Sequence, residues 1–198
     1  MSHPFDIPLF PLNTVLFPAG ALPLKIFEPR YLDMAAACIR DNQPFGVCLI
    51  ARGSETGAPA QPHDCGTLAR IAEWDMPQMG ILNVSTRGEE RFRIIARRSE
   101  SSGLQRADVE MLAEPATQPI PQRFARLVPL LRVIVADLAD AAPPLPHRFY
   151  DATWVGYRYC EVLPIPNAAR QKLLELDDSI SRLEIIYRFL EQKKLIVD

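Results

Sequence analysis

The sequence lacks the short motifs that carry phosphate and hydrolase chemistry. None of its nine glycines stands in a G-x-x-x-x-G-K-[ST] loop, so it has no standard phosphate cradle for ATP. Neither a G-x-S-x-G nucleophile elbow nor an H-E-x-x-H zinc helix occurs. These absences count against nucleotide hydrolases, α/β-hydrolases and zinc proteases. We therefore predict a protein that is not an enzyme and that uses no cofactor.

Histidine and cysteine are scarce, with three and four residues, and no C-x-x-C pair occurs. His63-Asp64-Cys65 is the one local cluster that could bind a metal or pair a base with a thiol. A zinc site needs three or four ligands, and no second cluster of Cys and His accompanies this one. We predict an ordinary loop here and no metal site. Cys65 and His63 leave an unrecognised hydrolase as a minor alternative.

The sequence also lacks an excess of positive charge, since its formal net charge is −2. Proteins that bind nucleic acid usually present a strongly basic face. Five arginines do lie close together, but Glu89 and Glu90 interrupt them, which favours a solvated strand face; the arginines are Arg87, Arg91, Arg93, Arg97 and Arg98. Nucleic acid is therefore an unfavoured partner.

No apolar run approaches the ~20 residues that cross a bilayer. The N-terminus, MSHPFDIPLF, has no basic region followed by an apolar core and is therefore unlike a secretory signal. These features predict a cytoplasmic protein with reduced thiols and no membrane association.

Proline is the residue in unusual supply, with 19 copies, eight of them in the first 60 residues. Because proline donates no backbone hydrogen bond, it favours strand edges, turns and first helical turns. The N-terminal region is therefore predicted to form short, interrupted β-strands.

The apolar runs of the first half predict mostly antiparallel strands in a partly closed barrel. The strands are predicted at 7–12, 14–17, 22–27, 45–50, 66–74, 81–87, 90–98 and 104–112. Residues 30–41 have helical spacing, and Arg87-Gly88-Glu89 is typical of a tight hairpin turn. Residues 52–64 form a long polar loop, which is expected to be mobile or functional.

The second half is predicted to be helical. Residues 114–121 form a proline-bearing linker, and helical spacing follows it, with Pro129 predicting a kink or a late start. Helices are predicted at 149–163, 167–176 and 178–192, with Asp178 as an N-cap. The fold class is therefore α+β, with a β-rich domain over 1–117 and a helical subdomain over 118–198.

One stretch of sequence is far more specific than these patterns. Residues 7–31, IPLFPLNTVLFPAGALPLKIFEPRY, resemble the opening signature of the Lon protease N-terminal domain family. Two later stretches, GTLARI at 66–71 and GEERFRI at 88–94, also resemble family strands, and the resemblance extends to the C-terminal helices. The family's glycine after the second motif is displaced here, because Ala19 precedes Gly20.

The resemblance implies a PUA-like pseudo-barrel with an inserted helix, joined to an α-helical subdomain. In Lon proteases this region is a substrate-recognition and assembly element that precedes an ATPase and a protease domain, and these 198 residues contain neither. Similar domains occur in cereblon and beside RING fingers. The implied partners are unfolded or exposed polypeptide segments and a protease or adaptor, and a homo-oligomer is possible.

Candidate binding residues are aromatic, because Trp and Tyr combine a large apolar area with a polar group. We expect Tyr31, Trp74, Trp154 and Tyr157 to line a site where barrel and helices meet. A strand edge near the proline-rich N-terminus is an alternative site for an extended polypeptide.

The family-motif residues are predicted to be structural. They are Pro11, Phe17, Pro18, Leu24, Phe27, Glu28, Arg30, Arg91 and Phe92. Arg30 paired to a carboxylate would hold the inserted helix to the barrel.

The leading hypothesis is a non-catalytic polypeptide-binding or adaptor module. RNA or nucleotide binding is the alternative, and it rests on the PUA-like fold alone. It would require the arginines at 87–98 to form one continuous basic face.

Overall fold

The structure is a computed structural model that describes residues 5–138 and 142–196. The chain divides into two compact units, Met1–Ala113 and Glu114–Asp198. The first unit is β-rich and the second is helical, which confirms the predicted α+β class.

The described part of the first unit contains seven strands and one helix. In chain order they are β1 (Phe5–Leu12), β2 (Ala21–Ile26), α1 (Pro29–Asp41), β3 (Phe45–Arg52), β4 (Gln61–Pro62), β5 (Cys65–Gln78), β6 (Ile81–Ser99) and β7 (Gln105–Met111). The helix is inserted between β2 and β3, as the spacing of residues 30–41 predicts.

Five strands close into a ring. The sheet order is β1-β7-β6-β5-β3, and parallel pairing of β1 with β3 completes the circuit. The 19-residue β6 pairs with two strands along one edge, β2 along its first half and β7 along its second half. The result is the predicted pseudo-barrel, with β2 as an extra strand on its wall.

Two apolar clusters stabilise this unit, one on each face of the barrel wall. Because side chains alternate along a strand, Ile7 and Leu9 of β1 join one cluster and Phe10 and Leu12 join the other. Helix α1 covers the second cluster with Tyr31, among others. The inserted helix therefore replaces solvent over one face of the sheet.

Two predictions about this unit are wrong. Residues 14–17 form no strand; they lie in a loop whose last three residues are buried, and the Thr67 hydroxyl donates to the carbonyl oxygen of Leu16 at 2.7 Å. Gly88 is not in a hairpin turn, because β6 runs through it without a break. A Cβ at Gly88 would lie 2.3 Å from the carbonyl oxygen of Phe17. The glycine therefore permits a close backbone approach, which local sequence does not distinguish from a turn.

The described part of the helical unit contains a short 3-10 turn at Gln122–Phe124 and four helices. They are α2 (Leu127–Asp137), α3 (Ala152–Val162), α4 (Asn167–Glu175) and α5 (Ser179–Gln192). Pro129 lies in the first turn of α2, which is the predicted late start. Asp178 caps α5 as predicted, accepting a bond of 2.7 Å from the Ser181 amide.

Over the described residues, no helix has both the length and the apolar character needed to span a membrane.

Candidate functional site

The free edge of β2 is the most distinctive surface feature of the first unit. This strand pairs antiparallel with β6, from Ala21 opposite Arg87 to Ile26 opposite Leu82. Among the described strands, none pairs with its other edge. Backbone donors and acceptors on an unpaired edge are a template for another extended chain. Pro23 removes one donor from this edge, which limits the register of any added strand.

A groove of about 170 Å³ lies beside this edge. Its apolar lining comes from three elements: β1 contributes Phe10 and Leu12, β2 contributes Leu24, and α1 contributes Tyr31. Leu24 is half-buried, so an occupant could cover its remaining apolar surface. The groove therefore combines an unpaired backbone edge with apolar side chains, which are the two elements of recognition by strand addition.

The groove floor is a rigid aromatic stack. The rings of Phe10 and Tyr31 stack with centroids 4.1 Å apart, and Phe45 lies behind Phe10 at 6.1 Å. Burial raises the pKa of Tyr31, so its hydroxyl stays neutral at physiological pH. The floor therefore presents an apolar surface without charge.

A buried arginine, Arg30, lies at the start of α1. Arg30 forms an ion pair of 2.8 Å with Glu28, and its guanidinium lies 4.7 Å from the centre of the Tyr31 ring. It also donates to the carbonyl oxygen of Gly103 at 3.3 Å. Arg30 thus connects the start of the helix to the loop before β7.

The segment predicted as one loop at 52–64 contains β4 at Gln61–Pro62, and its irregular part borders the same groove through Glu55 and Thr56. Its position is set by a bond of 2.5 Å from the Asn13 amide to Glu55 Oε1. Gly53 and Gly57 have φ angles of +102° and +86°, which glycine adopts without steric cost. The sequence predicts this loop to be mobile or functional, and its placement at the groove favours a functional role.

Trp74 lies on the same face of the sheet as the groove residue Leu24. It pairs with Val84 of β6, and Val84 pairs with Leu24 of β2, so the three form one row across three strands. Trp74 is 57% exposed, and Met76 and Met79 beyond it are 50% and 96% exposed. The hairpin formed by β5 and β6 therefore has an exposed apolar surface, two strands from the groove.

The other two candidate aromatics lie inside the helical unit. Trp154 is buried against Phe149 at 5.0 Å and His147 at 5.7 Å. Tyr157 is buried under Arg182, whose guanidinium lies 4.3 Å from the ring centre. The structure thus places Tyr31 and Trp74 in the first unit and Trp154 and Tyr157 in the interior of the second. The shared site for all four stays a prediction.

The motif residues divide between core and surface. Pro11, Phe17, Arg91 and Phe92 are buried, and Pro18, Leu24 and Glu28 are partly buried. Phe27 is 55% exposed at the end of β2, beside the groove. Sequence reasoning places Phe27 in a structural role, and its exposure makes it available to an occupant instead.

The arginines at 87–98 do not form one continuous basic face. Arg91 is fully buried and donates to the carbonyl oxygen of Ala113 at 3.2 Å. Arg98 is paired with Asp6 at 2.6 Å. Because these two side chains interrupt the row, the condition set for RNA binding is not met.

The His63-Asp64-Cys65 cluster lies in the link between β4 and β5. Its backbone completes the sheet, since His63 donates to Leu49 and Asp64 accepts from Ile94. Cys65 is buried. Within residues 5–138 and 142–196, no group of three or more His, Cys, Asp or Glu side chains is arranged to hold a metal ion.

The first unit is a β pseudo-barrel with an inserted helix and the second is helical, and solved structures share this α+β architecture. The crystal structure of a Lon N-terminal domain protein from Xanthomonas campestris superposes with a TM-score of 0.78 and 32% identity, over 93% of this chain and 98% of that one.

The chain belongs to the family of ATP-dependent protease La (LON) substrate-binding domains, whose model matches residues 6–192. Lon protease 2 of Myxococcus xanthus is 27% identical over 98% of this chain, and protein cereblon of Gallus gallus is 30% identical over 54%. The matched stretches cover about a quarter of the length of these relatives, 24% in each case. The resemblance carried by residues 7–31 is thus confirmed.

Proposed function

We propose that this chain is a non-catalytic module that binds exposed or unfolded polypeptide segments, and that an extended segment binds along the free edge of β2. The observation that carries the proposal is the coincidence of an unpaired strand edge with an apolar groove. Membership of a substrate-binding domain family supports it. The proteases among the relatives make a protease or its adaptor the natural companion of this module.

The interactions that the groove offers favour weak binding of polypeptides with many different sequences. Backbone bonds to a strand edge do not depend on side-chain identity, so they give affinity without strict selectivity. Leu24 and Phe27 add apolar area, at about 25 cal/mol per Å² removed from water. A client with a short apolar extended stretch is therefore expected to bind, and a tightly folded protein is not.

The test is binding of fluorescent β-casein, a protein without stable folded structure, to the purified chain. Leu24→Asp places a charge in the groove and is expected to weaken binding about tenfold, since burying an unpaired charge is costly. Ile95→Asp is the matched control, because Ile95 is 59% exposed on β6 and does not line the groove.

Phe27→Ser is a second test variant that is expected to fold normally, because the exposed Phe27 contributes little to stability. It should weaken casein binding two- to fivefold while the thermal melting temperature stays unchanged. Equal binding by wild type and all three variants would reject the groove. Hydrolysis of casein or ATP by the purified chain above a buffer blank would reject the non-catalytic assignment.

A further inference from the structure

A second and larger cavity also borders α1, and it shares no lining residue with the β2 groove. It has a volume of about 570 Å³, within the range of ~300–1,000 Å³ that is common for ligand sites. Its lining includes Asp33, Met34 and Ala37 of α1, together with Pro8 of β1 and Leu104. Apolar side chains therefore form part of the lining.

A buried donor in this cavity has no acceptor. The side chain of Arg30 is only 8% exposed, and its two terminal nitrogens are occupied by Glu28 and Gly103. Its Nε lacks any hydrogen-bond partner in the structure. A buried unsatisfied donor costs about 1–3 kcal/mol, so an occupant that offered a carbonyl oxygen here would remove that cost. Since Glu28 already neutralises the arginine, a neutral carbonyl is sufficient.

The charges around the cavity favour a cation. Four acids and two arginines line it: Asp6, Asp33, Asp41, Glu100, Arg30 and Arg106. Asp6 is held by Arg98 and Arg106 at 2.6 Å each, and Asp41 by Arg40 at 2.8 Å.

The two remaining acids are not neutralised in this way. Glu100 is 3.8 Å from Arg106, which Asp6 already engages. Asp33 is exposed, and among the described residues no ion pair includes it. The lining of the cavity therefore has an excess of negative charge.

We infer that this cavity binds a polypeptide segment in which a basic side chain neighbours an apolar one. The apolar side chain would contact Met34, Ala37 and Leu104, and the basic side chain would meet Asp33. Arg30 Nε has almost no accessible surface, so a backbone carbonyl would accept from it only after a shift of the Arg30 side chain. This inference rests on the proposed polypeptide-binding function and specifies which segments are preferred. The β2 groove would supply general affinity, and the α1 cavity would supply selection.

The test compares three fluorescein-labelled nonapeptides that differ at one position. Each has the centre Leu-X-Leu between Gly-Ser-Gly arms, with X as Lys, Gln or Glu. The Lys peptide is expected to bind the full chain about two- to fivefold more tightly than the Gln peptide, as for an exposed ion pair, and the Glu peptide should bind most weakly. The preference should shrink as salt is raised, because the charges are exposed to solvent.

Two variants locate the preference. Asp33→Asn should remove the discrimination between Lys and Gln peptides, whereas Asp75→Asn, an equivalent change at an exposed acid of β5 outside the cavity, should keep it. Ala37→Trp fills the cavity and should weaken the Lys peptide on the order of tenfold, provided that its melting temperature matches wild type.

The outcomes separate the two proposals. Equal binding of the three peptides, or discrimination that survives Asp33→Asn, overturns the cavity inference. If β-casein still binds and depends on Leu24 while the nonapeptides show no preference or no binding, only the cavity inference fails. Loss of both the peptide preference and casein binding to the wild-type chain removes both.

Discussion

At the residue scale, Gly88 shows how one missing Cβ determines a backbone contact. The amide of Ala19 donates to the carbonyl oxygen of Gly88 at 2.8 Å, and the Gly88 amide donates to Gly20 at 2.9 Å. These bonds fasten the loop between β1 and β2 to the middle of β6. No other residue fits, because a Cβ would meet the carbonyl oxygen of Phe17 at 2.3 Å.

Gly88→Ala is therefore expected to lower the free energy of unfolding by about 3 kcal/mol, at the high end of ordinary single substitutions. Gly57→Ala is a control for backbone conformation alone, since its φ is +86° and no heavy atom lies within 4 Å of the added Cβ. It should cost only about 1 kcal/mol. Urea denaturation measures both, and equal losses would show that the contact with Phe17 does not matter.

Glu161 provides a test of buried charge in the helical unit. The fully buried Arg158 donates a hydrogen bond of 2.9 Å from a terminal nitrogen to Glu161, and its Nε lies 2.9 Å from the other carboxylate oxygen in the same ion pair. Burial nevertheless raises the pKa of Glu161 to about 7, with Arg158 and Arg170 acting in the opposite direction. The folded state therefore holds this proton more tightly than the unfolded state.

The free energy of unfolding should consequently fall as pH rises from about 4.5 to about 7 and then level off, by up to about 3 kcal/mol from this group. Glu161→Gln cannot ionise and should remove this part of the pH dependence. Urea titrations of wild type and variant between pH 4.5 and pH 8 provide the comparison. Parallel curves for the two proteins would contradict a raised pKa.

At the element scale, local sequence predicted what depends on local periodicity. The amphipathic spacing around Tyr31 predicts α1, and Asp178 predicts the start of α5. Both signals are local, because a helical repeat and an N-cap each depend on only a few neighbouring residues. The apolar pattern at 14–17 predicts a strand, whereas the structure has a loop there. Its Leu16 and Phe17 are buried by contacts with distant residues, and burial alone does not distinguish a loop from a strand.

The groove was only partly predictable for the same reason. The sequence indicated a strand edge near the prolines and marked Tyr31, but the pairing of β2 with β6 joins residues about 60 positions apart, as when Thr86 donates to Leu22. Register over such distances depends on tertiary packing. Phe27 illustrates the limit, since its motif suggests core packing and its position at the strand end exposes it.

At the scale of the whole molecule, the segment that joins the two units indicates where the domain boundary lies. Residues 112–117 carry no regular structure, whereas Gln118 is anchored within the helical unit. The Ala152 amide donates to the Gln118 carbonyl oxygen at 2.8 Å, and the Gln118 amide donates to Asp151 at 3.3 Å. We therefore propose that the domain boundary lies at residue 117, with domains at 1–117 and 118–198.

Limited proteolysis with elastase, which cleaves after small residues, should cut first at the exposed Ala116. Two stable fragments of unequal size should result, with the N-terminal fragment the larger, and mass spectrometry identifies their ends. The loop at 52–64 provides an internal comparison, because it also contains exposed small residues but is fastened through Glu55. Initial cleavage there would mean that this loop opens more readily than the segment between the units, and that the groove it borders is not preformed.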